Sequence, residues 1–167
     1  MLSVLPNGYT DSINKLSDYD FNDKTSSWRQ TRTSSPSTQP WHFEITRHGK
    51  CLDLDGGNTS NGGNIHQWSC DNDHSNQIFN LEQVGSFYQI KHAASGKCLD
   101  AANAGTSNGT NVYLWSCHGG DNQLWTLSSN GNTSDARDFT IKGKHSGKCM
   151  DLTAGGQPTG SSNGTNI

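Results

Sequence analysis

The sequence predicts an all-β chain: a β-trefoil with an incomplete third repeat, preceded by a short β fragment. Three observations lead there. The phrase GKCLD at Gly49–Asp53 returns unchanged at Gly96–Asp100 and as GKCMD at Gly147–Asp151. Between the copies lie short runs of alternating polarity, separated by Gly, Asn and Ser turn residues. The composition is poor in both apolar residues (29%) and charged residues (16%), with 19 glycines. That balance suits many turns around a thin core, and it is not that of an ordinary disordered chain.

The first element, residues 1–30, holds no copy of the phrase. LPNGYTDSINKL (Leu5–Leu16) followed by DFNDKTSSWR (Asp20–Arg29) resembles the second half of a βγ-crystallin Greek key, and NDKTSS at Asn22–Ser27 fits that family's calcium signature. The resemblance implies a weak calcium site at Asn22, Asp23 and Ser26, since oxygen ligands on a tight loop suit a hard cation. Only half of such a site is present, and a polar turn between two strands accounts for the same residues. No other cofactor is expected. TRTSSPSTQP, residues 31–40, then reads as a linker rich in Ser, Thr and Pro.

Residues 41–167 carry the repeat. WHFEI, IFNL, FYQI, LWTL and FTI read as period-2 strands, and no segment carries a helical stripe. In copy one Cys51 and Cys70 are 19 residues apart, and in copy two so are Cys98 and Cys117. Asp53 precedes Trp68 by 15 residues, as Asp100 precedes Trp115. An Asn-Gly pair stands nine residues before each closing cysteine, at Asn61 and Asn108, and NQIF or NQLW follows. Three four-strand units closing on one another make a β-trefoil. The third copy runs from Cys149 to Asn163-Gly164, and its closing cysteine would fall at position 172, beyond Ile167. This copy is expected to be cut off, leaving an open edge through which the chain would dimerise.

The equal spacing suggests disulfides Cys51–Cys70 and Cys98–Cys117, with Cys149 left over. Zinc is the rival reading, but no C-x-x-C is present. A net charge of −3 with no basic stripe argues against nucleic acid as a partner. No apolar run approaches the roughly 20 residues of a membrane helix. The opening MLSVLPNGYTD lacks the basic and apolar regions of a signal peptide, whereas paired cysteines are those of an extracellular protein. A longer secreted parent reconciles the two.

Taken together, the pattern GKCLD, NG-x-N, W-x-C and NQ-x-W resembles the ricin-type lectin family, the (QxW)3 or family-13 carbohydrate-binding modules, over about Trp41–Ile167. The family implies a shallow sugar pocket in each complete repeat. In copy one the resemblance assigns Asp53 to accept sugar hydroxyls, Trp68 to stack on the ring, Asn76 to contact a hydroxyl and Gln77 to steady the acid. His66 replaces the family's glutamine at the pocket wall. In copy two the same parts fall to Asp100, Trp115, Asn122 and Gln123, with Tyr113 at the wall. Copy three offers only Asp151 and is expected to form no pocket. Phe79 stands where the family's triplet carries a tryptophan that packs the core. The chemistry fits a sugar: an aromatic plate suits the C–H face, a carboxylate accepts hydroxyl hydrogens, and amides both donate and accept. Read one at a time, the same aspartates are turn acceptors and the tryptophans core residues.

The expected function is therefore a non-catalytic carbohydrate-binding module that directs a larger protein to glycans or polysaccharide, with galactose- or xylose-type sugars as ligands. No nucleophile elbow, metal motif or phosphate loop marks an enzyme. Two other functions fit parts of the chain: a β-trefoil protease inhibitor, and a calcium-stabilised structural protein of βγ-crystallin type.

Overall fold

The structure, a computed structural model, describes residues 28–32, 43–47, 49–71, 74–129, 138–152 and 162–167. Asn22, Asp23 and Ser26, and with them the calcium expectation, lie outside the described residues.

The alternating runs form strands. β2 (Phe43–Arg47), β5 (Phe79–Val84), β6 (Phe87–His92), β9 (Trp125–Ser129) and β10 (Asp138–Gly143) are joined by β1 (Trp28–Arg32) into a ring of antiparallel pairs: β1–β2, β2–β5, β5–β6, β6–β9, β9–β10 and β10–β1. This closed six-stranded barrel has no free edge among its described strands. Two hairpins cap it: β3 (Lys50–Leu54) with β4 (Gly63–Ser69), and β7 (Cys98–Ala101) with β8 (Val112–Trp115). The short strand β11 (Thr165–Asn166) begins the third cap and pairs with β4. The whole is the all-β, three-fold arrangement expected from the repeat.

β1 departs from the expectation. The sequence reading divided Trp28–Arg32 between the N-terminal fragment and the linker and left the third repeat open. In register, Trp28 pairs with Phe139 as Trp125 pairs with Tyr88 and Phe79 with Phe43. Each partner stands two residues before Ile141, Ile90 or Ile45. β1 thus fills the last barrel strand of repeat three from the other end of the chain. WRQTR carries no GKC phrase and no NQ pair, which is why the repeat search passed over it.

The core runs down the barrel and under the caps. Leu52, Leu54, Ile65, Phe79, Ile90, Leu99, Leu114, Trp125, Phe139, Ile141, Met150 and Leu152 are all buried in one cluster. Phe79 and Trp125 are equivalents, and both are buried, as the sequence suggested for that position. Trp125 donates its indole N–H to the Leu99 carbonyl at 3.4 Å. Phe79 instead sets its ring edge-on to His92, 5.7 Å between centroids.

The Asn-Gly turns at Asn61 and Asn163 hand their bonds to a neighbouring repeat. Glycine is required there: Gly62, Gly109 and Gly164 have φ of +89°, +80° and +82°. The Gly62 N–H donates to the Leu114 carbonyl of copy two, and the Gly164 N–H to the Gln67 carbonyl of copy one, both at 2.8 Å. Asn61 Oδ1 accepts from Lys97 Nζ and from the Ser116 N–H and hydroxyl. Asn163 Oδ1 accepts from Lys50 Nζ and the Ser69 hydroxyl in the same way. The second asparagines of the three turns join across the centre. Asn111 Nδ2 donates to Asn64 Oδ1 at 3.1 Å, and Asn166 Nδ2 to Asn111 Oδ1 at 2.6 Å.

His92, 1% exposed, links copies one and two. Its Nε2–H donates to the Ser75 carbonyl at 3.0 Å, which fixes the tautomer, and Nδ1 accepts from the Ser95 hydroxyl at 2.9 Å. Burial, opposed by the Ser75 hydrogen bond and the Asp53 carboxylate, lowers its pKa below the ordinary 6.5. The unfolded chain therefore binds the His92 proton first as pH falls. The stabilisation from keeping this ring neutral is complete above about pH 6.5 and is lost as pH drops through that value towards the lower folded pKa, at up to about 1.4 kcal/mol per pH unit. In urea titrations between pH 7.5 and 5, His92→Gln is expected to be less stable than the parent at pH 7.5, by about 1–2 kcal/mol, and to lose less on acidification. Equal acid slopes in the two proteins would show that His92 titrates as it does in the unfolded chain.

Candidate functional site

Strand alternation builds the site in copy one. On β4, His66 and Trp68 are two residues apart and share a face, while Ile65 and Gln67 turn to the other. Across the hairpin, Asp53 pairs with His66 and Cys51 with Trp68. Cys51 is bonded to Cys70, with Cα atoms 5.0 Å apart, so the open end of the hairpin is stapled where the site begins. The His66 and Trp68 rings stack, 5.4 Å between centroids and 18° between planes. Trp68 is 44% exposed, too much for a core residue and suited to a plate.

On the same face, Asp53 is buried and both its oxygens are engaged. His66 Nε2 lies 3.1 Å from Oδ1, and Gln77 Nε2 donates to Oδ2 at 2.8 Å. The Gln77 amide is itself pinned. It donates to the Ser69 carbonyl at 3.0 Å and accepts from the Asp71 N–H at 2.9 Å. Gln77 and Asn76 sit on a 3₁₀ turn, Ser75–Gln77, which places Gln77 inside and Asn76 at the half-exposed rim. Asn76 lies against Gly57, where a Cβ would come within 3.3 Å of its Oδ1.

Copy two repeats the plan. Asp100, 2% exposed, pairs across β7–β8 with Tyr113, and Cys98 with Trp115; Cys98 is bonded to Cys117. Gln123 Nε2 donates to Asp100 Oδ2 at 2.8 Å and to the Ser116 carbonyl at 3.1 Å, and Gln123 Oε1 accepts from the His118 N–H at 2.9 Å. Trp115 is 37% exposed and tilted over Tyr113, 5.3 Å between centroids. Asn122 reaches the Ala101 carbonyl at 3.5 Å. The structure thus gathers all ten sequence-predicted residues into two clusters: Asp53, His66, Trp68, Asn76 and Gln77, then Asp100, Tyr113, Trp115, Asn122 and Gln123. Both disulfides read from the spacing are present, and Cys149 is a free, exposed thiol. In copy three Asp151 is exposed, with Oδ1 accepting from the Leu152 N–H at 2.8 Å, unlike the buried aspartates of the other copies.

Sequence reasoning missed two participants. The first is His118. Its Nδ1 accepts from the Gly120 N–H at 3.1 Å, so Nε2 carries the proton and donates to Asp100 Oδ2 at 3.3 Å. The available signal was positional: His118 follows Cys117 as Asp71 follows Cys70, and both backbone N–H groups hold the buttressing glutamine. The second is the loop behind each aspartate, where Gly56 and Gly57 in copy one become Asn103 and Ala104 in copy two. All four lie at positive φ, uncommon for Asn and costly for Ala. The Tyr113 hydroxyl accepts the Asn103 N–H at 3.1 Å and holds that loop in place. Among the described residues no group of three His, Cys, Asp or Glu side chains is placed to hold a metal ion.

The sequence model of the ricin-type beta-trefoil lectin domain-like family matches residues 24–115 and 75–167. No curated protein matches the chain. Among solved structures, the designed three-fold symmetric protein ThreeFoil is 31% identical, with a TM-score of 0.63 over 84% of this chain and 85% of that one. An exo-beta-1,3-galactanase from Clostridium thermocellum is 24% identical at a TM-score of 0.63; 88% of this chain is covered, against 27% of the galactanase chain. The Rhizoctonia solani agglutinin, 17% identical at a TM-score of 0.57 over 87% and 85%, shares the fold.

The two glutamines are not expected to be equal in weight. Gln77→Leu leaves Asp53 its contact with His66, whereas Gln123→Leu leaves Asp100 with only the longer His118 contact. Each change removes a buried hydrogen-bond donor, which costs about 1–3 kcal/mol. Urea denaturation is expected to show the larger loss for Gln123→Leu, and the reverse order would refute this account of the two carboxylates.

Proposed function

The chain belongs to the ricin-type beta-trefoil lectin domain-like family, and from that premise we propose that it is a non-catalytic carbohydrate-binding module working through the pockets of copies one and two. One observation carries the reading. An exposed indole twice shares a hairpin face with a buried aspartate steadied by a buried glutamine, although nothing in barrel packing requires a tryptophan in solvent. An indole face matches the C–H face of a pyranose, and the aspartate and the asparagine amide match its hydroxyls. Galactose- and xylose-type sugars are the ligand classes to test. Each pocket has one plate and few polar groups to offset ordering costs, so affinity is expected in the micromolar-to-millimolar range.

Two disulfides in so small a unit suit an oxidising, extracellular setting, where such a module would hold a larger secreted protein against glycans or polysaccharide. Self-association through copy three is a narrower proposal than the sequence suggested. With β1 closing the barrel, it is confined to the third cap, around the exposed Cys149.

A glycan array tests the class and the ligand together. The parent is expected to bind at least one glycan on it. The double variants Asp53→Ala/Asp100→Ala and Trp68→Ala/Trp115→Ala are expected to lose that binding. Because both indoles are exposed, the second pair is expected to keep its fold, checked by far-ultraviolet circular dichroism. Undiminished binding by a folded tryptophan double variant would show that the ligand binds elsewhere.

A further inference from the structure

The two pockets share a plan but differ at one hydrogen bond. In copy one the chain fills both oxygens of Asp53, with His66 at Oδ1 and Gln77 at Oδ2. In copy two Gln123 and His118 both go to Oδ2 of Asp100. Asp100 Oδ1 is left buried with no hydrogen-bond partner, on a side chain 2% exposed. An acceptor shielded from water and given no donor is costly, and native proteins rarely leave one without a reason.

The difference traces to one position. His66 and Tyr113 are the cross-strand partners of Asp53 and Asp100. The imidazole reaches its aspartate, whereas the Tyr113 hydroxyl lies at the Asn103 N–H of the strained loop, from which it accepts, and does not reach Asp100 Oδ1. Building on the sugar-binding reading, we propose that copy two is the primary ligand site, where a ligand hydroxyl donates to Asp100 Oδ1, and that in copy one His66 stands in the ligand's place and holds that pocket closed. His66 is then a specificity-determining residue that makes two similar pockets unequal.

The energetics run the same way on both sides. A hydroxyl arriving at Asp100 satisfies an acceptor that had no donor, so little is given up for the bond. A hydroxyl arriving at Asp53 must first displace His66, which also loses its stack on Trp68. Asp100 Oδ1 is shielded, and the group a ligand would move aside to reach it is His118, whose side chain is 46% exposed and whose 3.3 Å contact with Oδ2 is longer than that of Gln123. The ligand class follows: a pyranose whose donating hydroxyl borders an apolar C–H face, so that one edge meets Asp100 while the face lies on Trp115.

The test follows the indole N–H signals of Trp68 and Trp115 in the ¹⁵N-labelled chain, assigned with Trp68→Phe and Trp115→Phe. Methyl β-D-galactopyranoside and xylobiose are titrated separately. With one of them, the Trp115 signal is expected to reach its midpoint at least about tenfold below that of Trp68, the scale of one hydrogen bond to a charged group. His66→Tyr, which gives copy one the residue of copy two, is expected to bring the Trp68 midpoint to within about threefold of Trp115. Equal midpoints in the parent, or Trp68 moving first, would overturn the inference and leave the sugar reading standing. So would a folded His66→Tyr variant with an unchanged Trp68 midpoint. Should that variant not fold, the order of the two signals in the parent decides alone. Silence at both indoles with both sugars counts against the sugar reading for these classes and takes the inference with it.

Discussion

The Asn-Gly turns at Asn61 and Asn163 are each held by another repeat. The Gly62 and Gly164 N–H groups find their acceptors in another copy, and the Asn61 and Asn163 side-chain oxygens find their donors there. Backbone donors in native proteins are almost always paired, so these two turns tie copies one and three to their neighbours. The same dependence appears between the turns before the cysteines and the preceding copies, where Ala93 donates to Ile78 and Lys144 to Leu124. At the centre, three asparagines bond amide to amide, a use only a side chain with both a donor and an acceptor can serve. The fold is an agreement among three similar pieces, and the thin core is adequate because these polar contacts set the geometry that hydrophobic packing then fills.

That geometry makes the site possible. A cap hairpin alternates one residue down into the core and one up towards the surface. Leu52 and Leu54 go down, and Cys51 and Asp53 take the other face with His66 and Trp68. The disulfide fixes one end of that face, and each such cross-link closing a 19-residue loop is worth about 3 kcal/mol in chain-entropy terms. The aspartate between them sits where water is scarce, so its oxygens need donors. A glutamine delivered by the following 3₁₀ turn supplies one, and its own amide is oriented by two backbone groups. The carboxylate is thereby held in place before any ligand arrives.

Much of this was legible because the repeat acts as an internal control. A lone Asp, Trp or Asn-Gln pair carries little information, whereas the same three at the same offsets twice over forecast two clusters, and the structure assembles both. Taken singly, Trp68, Trp115 and Trp125 look alike; the family pattern set the first two as plates and the triplet position as core, and exposure divides them along the same line. Sequence missed what depends on side-chain reach. Nothing in the letters shows that His66 bends to its aspartate while Tyr113 turns to a loop amide, or that His118 comes back over Asp100. Strand β1 is hidden in the sequence for a topological reason, since the repeat it completes is not contiguous in the chain.

That non-contiguous strand has a consequence for the order of assembly. The stapled hairpins join residues close in sequence, so their own strand pairings are short-range. The barrel is complete only when Trp28 meets Phe139, from opposite ends of the chain. The entropy of closing a loop rises only with the logarithm of its length, about 0.6 kcal/mol per doubling, so bringing the strand from so far costs little in final stability. The cost falls on time: distant pairings slow folding, and until the ends meet, the flanks of β2 and β10 stand open to the wrong partner. The protein is thus expected to be most vulnerable during the last step of its own making, with most of its structure already in place.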